Sequence, residues 1–133
     1  MKYLLDTNIC IYFFRGKHNL VDQIESIGIA NCAISEITLA ELVFGAENSL
    51  NPQKNHSLIE KLASQISILP IFNCISFYGK EKARLRKAGT MISDFDLLIG
   101  ATAVANDLIM VTQNEREFER IKGINIENWI TAS

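Results

Sequence analysis

The sequence predicts an α/β fold in which a mostly parallel sheet carries helices on both faces, and three observations lead to it. Short apolar runs alternate along the chain with segments whose apolar residues recur every three or four positions. The apolar runs lack alternating polar residues, which is typical of strands covered on both faces. Two of them end abruptly in polar residues, at Asp6 and at Thr112. In open parallel sheets this edge is where ligands bind.

Strands are predicted where short apolar runs end at polar residues, and helices where an apolar stripe is bounded by capping residues or glycine. The predicted elements in chain order are a strand at 3–5, helices at 9–14 and 20–27, a strand at 29–35, helices at 37–46 and 58–66, a strand at 68–72, helices at 76–88 and 93–107, a strand at 108–111, a short turn around Phe118 and a strand at 124–130.

The first elements are bounded by capping residues and glycines. Asn8 and the two polar residues before it offer N-cap oxygens to the helix at 9–14, which Gly16 ends. The helix at 20–27 has apolar residues four and three positions apart and stops at Gly28. These boundaries predict two short helices between the first two strands.

The middle of the chain contains a helix that must bury most of its circumference. Residues 37–46 are apolar on nearly every side, and Glu41 is the one acid within that stretch. After a break at Pro52, residues 58–66 carry apolar side chains on one stripe. The next strand contains Pro70, which must lie at an edge or at an end because proline cannot donate to a ladder.

The last elements differ strongly from one another in character. The helix at 76–88 is densely basic and ends at Gly89, whereas the helix from Ser93 is so rich in small and apolar residues that it must be nearly buried. The strand at 108–111 ends in polar residues, and the closing segment supplies a final strand. Strands alternating with helices throughout predict right-handed crossovers in one parallel sheet.

Composition favours one globular domain spanning residues 1–133. Hydrophobic residues make up 48% and charged residues 21% of the chain, values that are far from those of disordered proteins. With 13 basic and 15 acidic residues the net charge is −2, which gives no overall attraction to nucleic acid. A polyanionic substrate would therefore require a local basic patch or a bound cation.

Cysteine usage and the amino-terminal segment indicate a cytoplasmic protein without a membrane anchor. Cys10, Cys32 and Cys74 are odd in number and widely spaced, so we expect buried, reduced thiols. The apolar run that follows Asn8 is too short for a signal sequence or a membrane span.

Three carboxylates stand apart from the other acids. Asp6 ends the first strand, Glu41 lies within one apolar helix, and Asp96 lies in the first turn of another. Each has a structural alternative, because Asp6 fits a simple helix cap and the other two follow a Thr or Ser by three residues, as in a capping box. Glu41 argues against capping alone, since the apolar pattern over 37–46 puts it beyond the first turn.

Buried carboxylates without basic neighbours predict a cation. An ionised carboxylate that is buried without a partner costs several kcal/mol. A divalent ion between the three acids removes this cost, and oxygen ligands without clustered His or Cys favour Mg²⁺ or Mn²⁺ over zinc. Without metal, repulsion should raise at least one carboxyl pKa. The Thr7 hydroxyl either caps the first helix or holds a water or phosphate oxygen.

Five segments carry a resemblance to a known family. They are LLDTN at 4–8, TLAEL at 38–42, DLLIGATA at 96–103, VTQNEREF at 111–118 and INIENW at 124–129. In this order they resemble PIN-domain ribonucleases, specifically the VapC-type toxins of bacterial toxin–antitoxin pairs. The resemblance covers nearly the whole chain, and the set is far more specific than any one segment.

The resemblance implies a three-layer α/β/α PIN-like domain that cleaves RNA with clustered acids and Mg²⁺ or Mn²⁺. Asp6, Glu41 and Asp96 match the first three family acids. A fourth acid falls near Asn114, so this chain departs there from an all-acid pattern, and a second metal becomes less certain. The auxiliary residues expected around these acids are Thr7, Asn8, Asp94, Thr112 and Asn114. Asp94 also fits a simple role as a favourable charge at a helix N-terminus.

The basic helix is the expected contact for the RNA backbone. Its cations are Lys80, Lys82, Arg84, Arg86 and Lys87. A merely solvated charged face is the alternative, and an antitoxin segment is another possible occupant of this surface. The resemblance further implies a homodimer, a VapB-like antitoxin that forms a hetero-oligomer with the toxin, and transfer RNA or messenger RNA as the substrate.

Two other functions compete with the nuclease. A non-catalytic PIN-fold module that captures RNA or a partner would keep the fold without the chemistry. A haloacid-dehalogenase-like phosphatase would explain the strand-terminal acid, but Asn8 replaces the second Asp that such an enzyme requires. Retention of all three acids favours the nuclease over both.

Overall fold

One wholly parallel five-stranded sheet, in the order β3-β2-β1-β4-β5, organises residues 1–130, which are the residues described by the computed structural model. The strands are β1 Tyr3–Leu5, β2 Cys32–Ser35, β3 Ser67–Leu69, β4 Ile109–Val111 and β5 Asn125–Glu127. The helices are α1 Thr7–Phe14, α2 Leu20–Ile27, α3 Glu36–Glu47, α4 Pro52–Ala63, α5 Ile75–Ala88, α6 Asp94–Ala105 and α7 Glu115–Phe118, with short 3-10 helices at Ile29–Asn31 and Phe72–Cys74.

Alternate strand residues feed two separate apolar cores, one on each face of the sheet. Leu5, Ile34 and Val111 pack with side chains from α1, α2, α3 and α4. Leu4 and Met110 point the other way and pack with side chains from α5, α6 and α7. The predicted three-layer α/β/α architecture is therefore confirmed.

Three predicted strands are clearly shorter than the apolar pattern indicated, and one of them is β5, which covers only Asn125–Glu127 of the expected 124–130. Residues 29–31 form a 3-10 helix, so β2 begins only at Cys32. β3 ends at Leu69, and Pro70 follows it outside the ladder, as expected of a residue without a backbone N–H. The second 3-10 helix follows, and the Glu36 carboxylate accepts a hydrogen bond from Ile71 N, just before that helix, at 2.9 Å.

The order of the strands places a reversal point beside β1. The chain winds from β1 through β2 to β3 on one side, and β4 and β5 lie on the other. The carboxyl ends of β1 and β4 are neighbours, and Asp6 N donates a hydrogen bond to Val111 O at 2.9 Å. Ligands bind at this crevice in open α/β sheets.

Helix α6 lies unusually close to the segment that follows α7. A Cβ added at Gly100 would overlap with Ile121 Cδ1 and lie 3.3 Å from Phe118 Cδ1. Both of these neighbours are buried, so neither side chain has free space to move into. Gly100 therefore sets how closely the α7 region approaches α6.

The three cysteines are free and buried, as the sequence predicted. No helix among residues 1–130 is both long and apolar enough to cross a membrane. The interpretation of residues 1–133 as a single domain stays a prediction, because residues 131–133 lie outside the described part of the chain.

Candidate active site

Asp6 lies where β1 meets α1 and uses both carboxylate oxygens. Oδ1 accepts a hydrogen bond from Thr7 N at 2.8 Å, which makes Asp6 the N-cap of α1. Oδ2 accepts one from Thr112 Oγ1 at 2.8 Å, across the boundary between β1 and β4. Burial raises the pKa of Asp6 more strongly than these two hydrogen bonds lower it, and the Glu41 charge raises it further. The predicted cap is thus real, but it leaves the carboxylate at the sheet edge.

Glu41 does not cap its helix. Ser35 caps α3 instead, its hydroxyl accepting a hydrogen bond from Ile37 N at 3.1 Å. Glu41 extends toward the start of α1, where Oε1 accepts a hydrogen bond from Thr7 Oγ1 at 2.6 Å. The same Thr7 hydroxyl lies 3.2 Å from the buried hydroxyl of Thr38. The Thr7 hydroxyl therefore connects Glu41 to the first residue of α1, which directly follows Asp6.

Asp96 is the third residue of α6, and its carboxylate is about half-buried. Its backbone N donates to Ser93 Oγ at 3.2 Å, so half of the predicted capping box is present. Its carboxylate is not taken up by that cap. Burial raises the pKa of Asp96 to about 6, and the charges of Asp6, Glu117 and Glu41 add to the rise. The carboxylate of Asp96 is thus within electrostatic range of the other three acids.

The acids have no cationic partner within the described residues. The ion pairs found there are His56 with Glu47, Lys82 with Asp94 and Arg84 with Glu81. Among residues 1–130 no three His, Cys, Asp or Glu side chains are already gathered tightly enough to hold a metal ion. One of the candidate donors, Glu41, is instead hydrogen-bonded to the Thr7 hydroxyl. The donors are all oxygen atoms, which fits Mg²⁺ or Mn²⁺.

Sequence reasoning missed Glu117. It had assigned the fourth acidic position to Asn114, whose backbone N donates to Thr112 Oγ1 at 2.9 Å and thereby orients the hydroxyl that holds Asp6. Glu117 lies one helical turn further on, within α7, and its charge acts on Asp96. The spacing of three residues from Asn114 and the buried Phe118 beside it were the available signals.

The other predicted auxiliary residues differ in position. Asn8 is exposed in the first turn of α1. Asp94 accepts a hydrogen bond from Tyr78 Oη at 2.8 Å and pairs with Lys82 at 2.8 Å, and both contacts lower its pKa. Asp94 thus connects α6 to α5, in addition to lying at the N-terminus of α6 as expected.

Two of the five predicted RNA-binding cations have protein partners. Lys82 pairs with Asp94, and Arg84 forms a bidentate pair with Glu81. Lys80, Arg86 and Lys87 are exposed on α5. A role in RNA binding stays a prediction for all five, and these three are the most available.

A groove of about 560 Å³ runs from Glu41 along α1, α3 and α4. Its wall is mostly apolar, and Arg15 and Lys54 also line it. The apolar and small lining residues are Ile11, Phe14, Leu42, Gly45, Ala46, Leu58 and Ile59. The mostly apolar groove thus reaches Glu41, one of the candidate site acids.

Acidification is expected to stabilise the metal-free protein. An Asp whose pKa is raised on folding binds its proton more tightly in the folded state, so its stabilising contribution is present at low pH and is lost as pH rises through the folded value. For Asp96 this window runs from about pH 4 to about 6. Thermal melting in chelator should give a higher Tm near pH 5.5 than near pH 7.5. The difference should shrink in Asp96→Asn, and an equal difference in that variant would contradict the assignment.

Comparisons with known proteins show the family and the fold to which the chain is similar. The PIN domain family model matches residues 3–124. The chain is 37% identical to the tRNA(fMet)-specific endonuclease VapC of Salmonella typhimurium, over 97% of this chain and 98% of the relative. It is also 37% identical to Ribonuclease VapC2 of Haemophilus influenzae, over 98% and 99%. The crystal structure of VapBC2 from Rickettsia felis bound to a DNA fragment from their promoter matches with a TM-score of 0.89 and 35% identity, over 97% of this chain and 99% of that chain.

Proposed function

This chain belongs to the PIN-domain family, among the VapC ribonucleases, and we propose from that premise that it is an endoribonuclease toxin held inactive by a VapB-like antitoxin. The observation that carries the proposal is the half-buried to buried placement of Asp6 at the carboxyl end of β1 and Asp96 in the first turn of α6, where each is affected by the charge of Glu41 and neither has a cationic partner in the described residues. Such a cluster is costly for folding alone, and it suits a site that binds a cation and a phosphodiester.

The residues that would hold a divalent cation are Asp6, Glu41, Asp96 and Glu117, and their carboxylate oxygens favour Mg²⁺ or Mn²⁺. When bound, the cation supplies Lewis-acid activation of water and positive charge against the scissile phosphate. The chain's own part is orientation. Thr112 fixes Asp6 through Oδ2, and Thr7 fixes Glu41 through Oε1. Hydrolysis in line would leave 5′-phosphate and 3′-hydroxyl ends.

The substrate is RNA, and exposed cations on α5 are the proposed contact for its backbone. Because the chain as a whole is slightly acidic, binding must depend on this local charge and weaken as salt rises. Relatives named as specific for tRNA(fMet) make the initiator transfer RNA the first substrate to test. Messenger RNA remains the other candidate. We place the activity in the cytoplasm, where both are found.

The experiment that tests the proposal is incubation of the purified protein with initiator transfer RNA and with total RNA, followed by mapping of the ends. We expect endonucleolytic cuts that disappear when a purified VapB-like antitoxin is added. Binding of RNA without cleavage, in both Mg²⁺ and Mn²⁺, would instead support the alternative of a non-catalytic RNA- or partner-binding module. Growth arrest of cells that express the protein, relieved by co-expression of the antitoxin, would link the cleavage to toxicity.

The groove along α1, α3 and α4 is the proposed seat for an apolar helix face of the antitoxin. Its apolar wall fits an amphipathic helix, and Glu41 at its end would accept a basic side chain from the antitoxin. This location differs from the basic helix that the sequence suggested as an antitoxin surface. A segment in this groove would reach the site directly, which would explain inhibition.

Filling the groove should weaken antitoxin binding without disturbing the fold. A Cβ at Gly45 meets nothing within 4 Å, so Gly45→Phe can place its ring in the groove. We expect the affinity for the antitoxin to fall about 10- to 100-fold, as for loss of a central interface contact. Gly79→Phe on α5, where a Cβ is equally free, is the matched control. Loss of binding only in the control would place the antitoxin on the basic helix.

Exposed aromatic side chains near the starts of α5 and α6 suit the proposed homodimer. Phe72 is 85% exposed, and Ile75 and Phe95 are also exposed. Large apolar side chains that cluster at a surface usually mark an interface. Light scattering should report a dimer at micromolar concentration. Phe72→Ser should shift it toward monomer, and a monomeric wild-type protein would argue against this interface.

A further inference from the structure

Glu81 is the one acid of the basic helix α5, and it is buried. Only 4% of its surface is exposed, although its neighbours in sequence are solvated. Oε1 accepts a hydrogen bond from Arg84 Nε at 2.7 Å. Oε2 accepts two more, from Arg84 Nη2 at 2.7 Å and from Lys122 N at 2.6 Å. These contacts lower the pKa of Glu81, so the carboxylate is ionised at neutral pH.

The Glu81–Arg84 pair is hydrogen-bonded to the backbone of residues 120–122. Arg84 Nη2 donates not only to Glu81 but also to Arg120 O at 2.7 Å. Together with the Lys122 N bond, this fixes residues 120–122 to α5 from both ends. The Arg120 side chain continues the connection by donating from Nη1 to Met91 O, 3.1 Å away, in the loop that leads into α6.

Residues 120–122 lie just after α7, which carries Glu117. Phe118 and Ile121 pack against α6 at Gly100, where no side chain would fit between them. The first turn of the same α6 carries Asp96. The contacts of residues 118–122 with α5 and α6 thus decide where α7 sits, and with it the carboxylate that acts on Asp96.

We propose that Glu81 is a positioning residue for the active site: paired with Arg84, it holds residues 120–122 in place and thereby keeps Glu117 beside Asp96. This inference rests on the proposed function and deepens it, because it assigns to α5 a role in arranging the cation ligands. The guanidinium of Arg84 then serves the framework of the site, although its side chain stays partly exposed. Partners that orient metal ligands typically change metal affinity or activity 10- to 100-fold when removed.

The test is a double-mutant cycle with Mn²⁺ affinity as its readout. Glu81→Gln, Glu117→Gln and the double variant are titrated with Mn²⁺ by calorimetry, and their melting temperatures are recorded. We expect Glu81→Gln to weaken Mn²⁺ binding about tenfold. If Glu81 acts through Glu117, the double variant should bind Mn²⁺ no more weakly than Glu117→Gln alone. Losses that simply add would overturn the inference.

Two controls separate positioning from general destabilisation. Glu47→Gln breaks an exposed contact with His56 and should leave Mn²⁺ affinity unchanged. Arg84→Lys keeps the positive charge but loses the two-pronged geometry, so it should weaken Mn²⁺ binding even if Glu81→Gln does not fold. Amide hydrogen exchange over residues 115–122 should become faster in both α5 variants, with or without metal.

The outcomes distinguish this inference from the function on which it rests. A wild-type protein that binds no Mn²⁺ overturns both. A wild-type protein that binds Mn²⁺ and cleaves RNA, together with Glu81→Gln and Arg84→Lys variants of wild-type Mn²⁺ affinity, overturns the positioning role alone. Under the proposal, kcat of the two variants falls while KM for RNA changes little, whereas loss of an RNA contact would raise KM.

Discussion

Asp6→Asn is expected to lower RNA cleavage by several orders of magnitude and at the same time to raise the melting temperature. Asn keeps the size of the side chain and an oxygen that can accept the Thr7 N hydrogen bond, so α1 retains its cap. The substitution removes a buried negative charge that Glu41 and Asp96 repel, which relieves the metal-free fold. Cleavage assays and thermal melting of the same preparation measure both effects.

The opposite signs make this result specific. A variant that merely misfolded would lose activity and stability together. Asp22→Asn, an exposed residue in the first turn of α2, is the matched control and should retain wild-type cleavage. Cleavage by Asp6→Asn at the wild-type rate would show that Asp6 is not part of the catalytic centre.

Removal of divalent cations is expected to abolish cleavage completely, and Mg²⁺ or Mn²⁺ should restore it. The physical reason is that the site's carboxylates alone repel an anionic phosphodiester, so without a cation the substrate is excluded from the acids. The measurement is cleavage after treatment with a chelator, followed by titration of each ion.

The same ions should stabilise the fold. A ligand that binds only the folded state adds about 2.7 kcal/mol at a free concentration of one hundred times its Kd. We therefore expect the melting temperature to rise with Mn²⁺ in the wild type and to respond far less in Asp96→Asn. Full cleavage in excess chelator would mean that the acids act by another route.

The sheet, and the places of the three candidate acids within the fold, could be predicted from the sequence because their signals are local. An apolar run that stops at Asp6 predicts a strand end, and an acid within the apolar helix α3 singles out Glu41 as a candidate site residue, which it remains. Such patterns depend on the period of the backbone, which neighbouring residues determine.

The partners of the basic helix were not readable, because they depend on contacts between distant segments. Nothing near Arg84 in sequence shows that residues 120–122 will pack beside it and accept its hydrogen bond. Glu117 was overlooked for a related reason. The short polar helix α7 carries both Glu115 and Glu117, and only the tertiary position of the helix determines that the charge of Glu117 acts on Asp96.

The role of Asp6 as the N-cap of α1 bears on how mutations of this residue would behave in cells. Under the proposed function the carboxylate that starts the helix is also required for toxicity, so we expect a mutation that replaces it with Asn to disarm the toxin and preserve the folded chain. Such a survivor would still occupy its antitoxin and draw it away from intact copies. We expect disarmed alleles at this codon to be dangerous to cells that also carry the active gene.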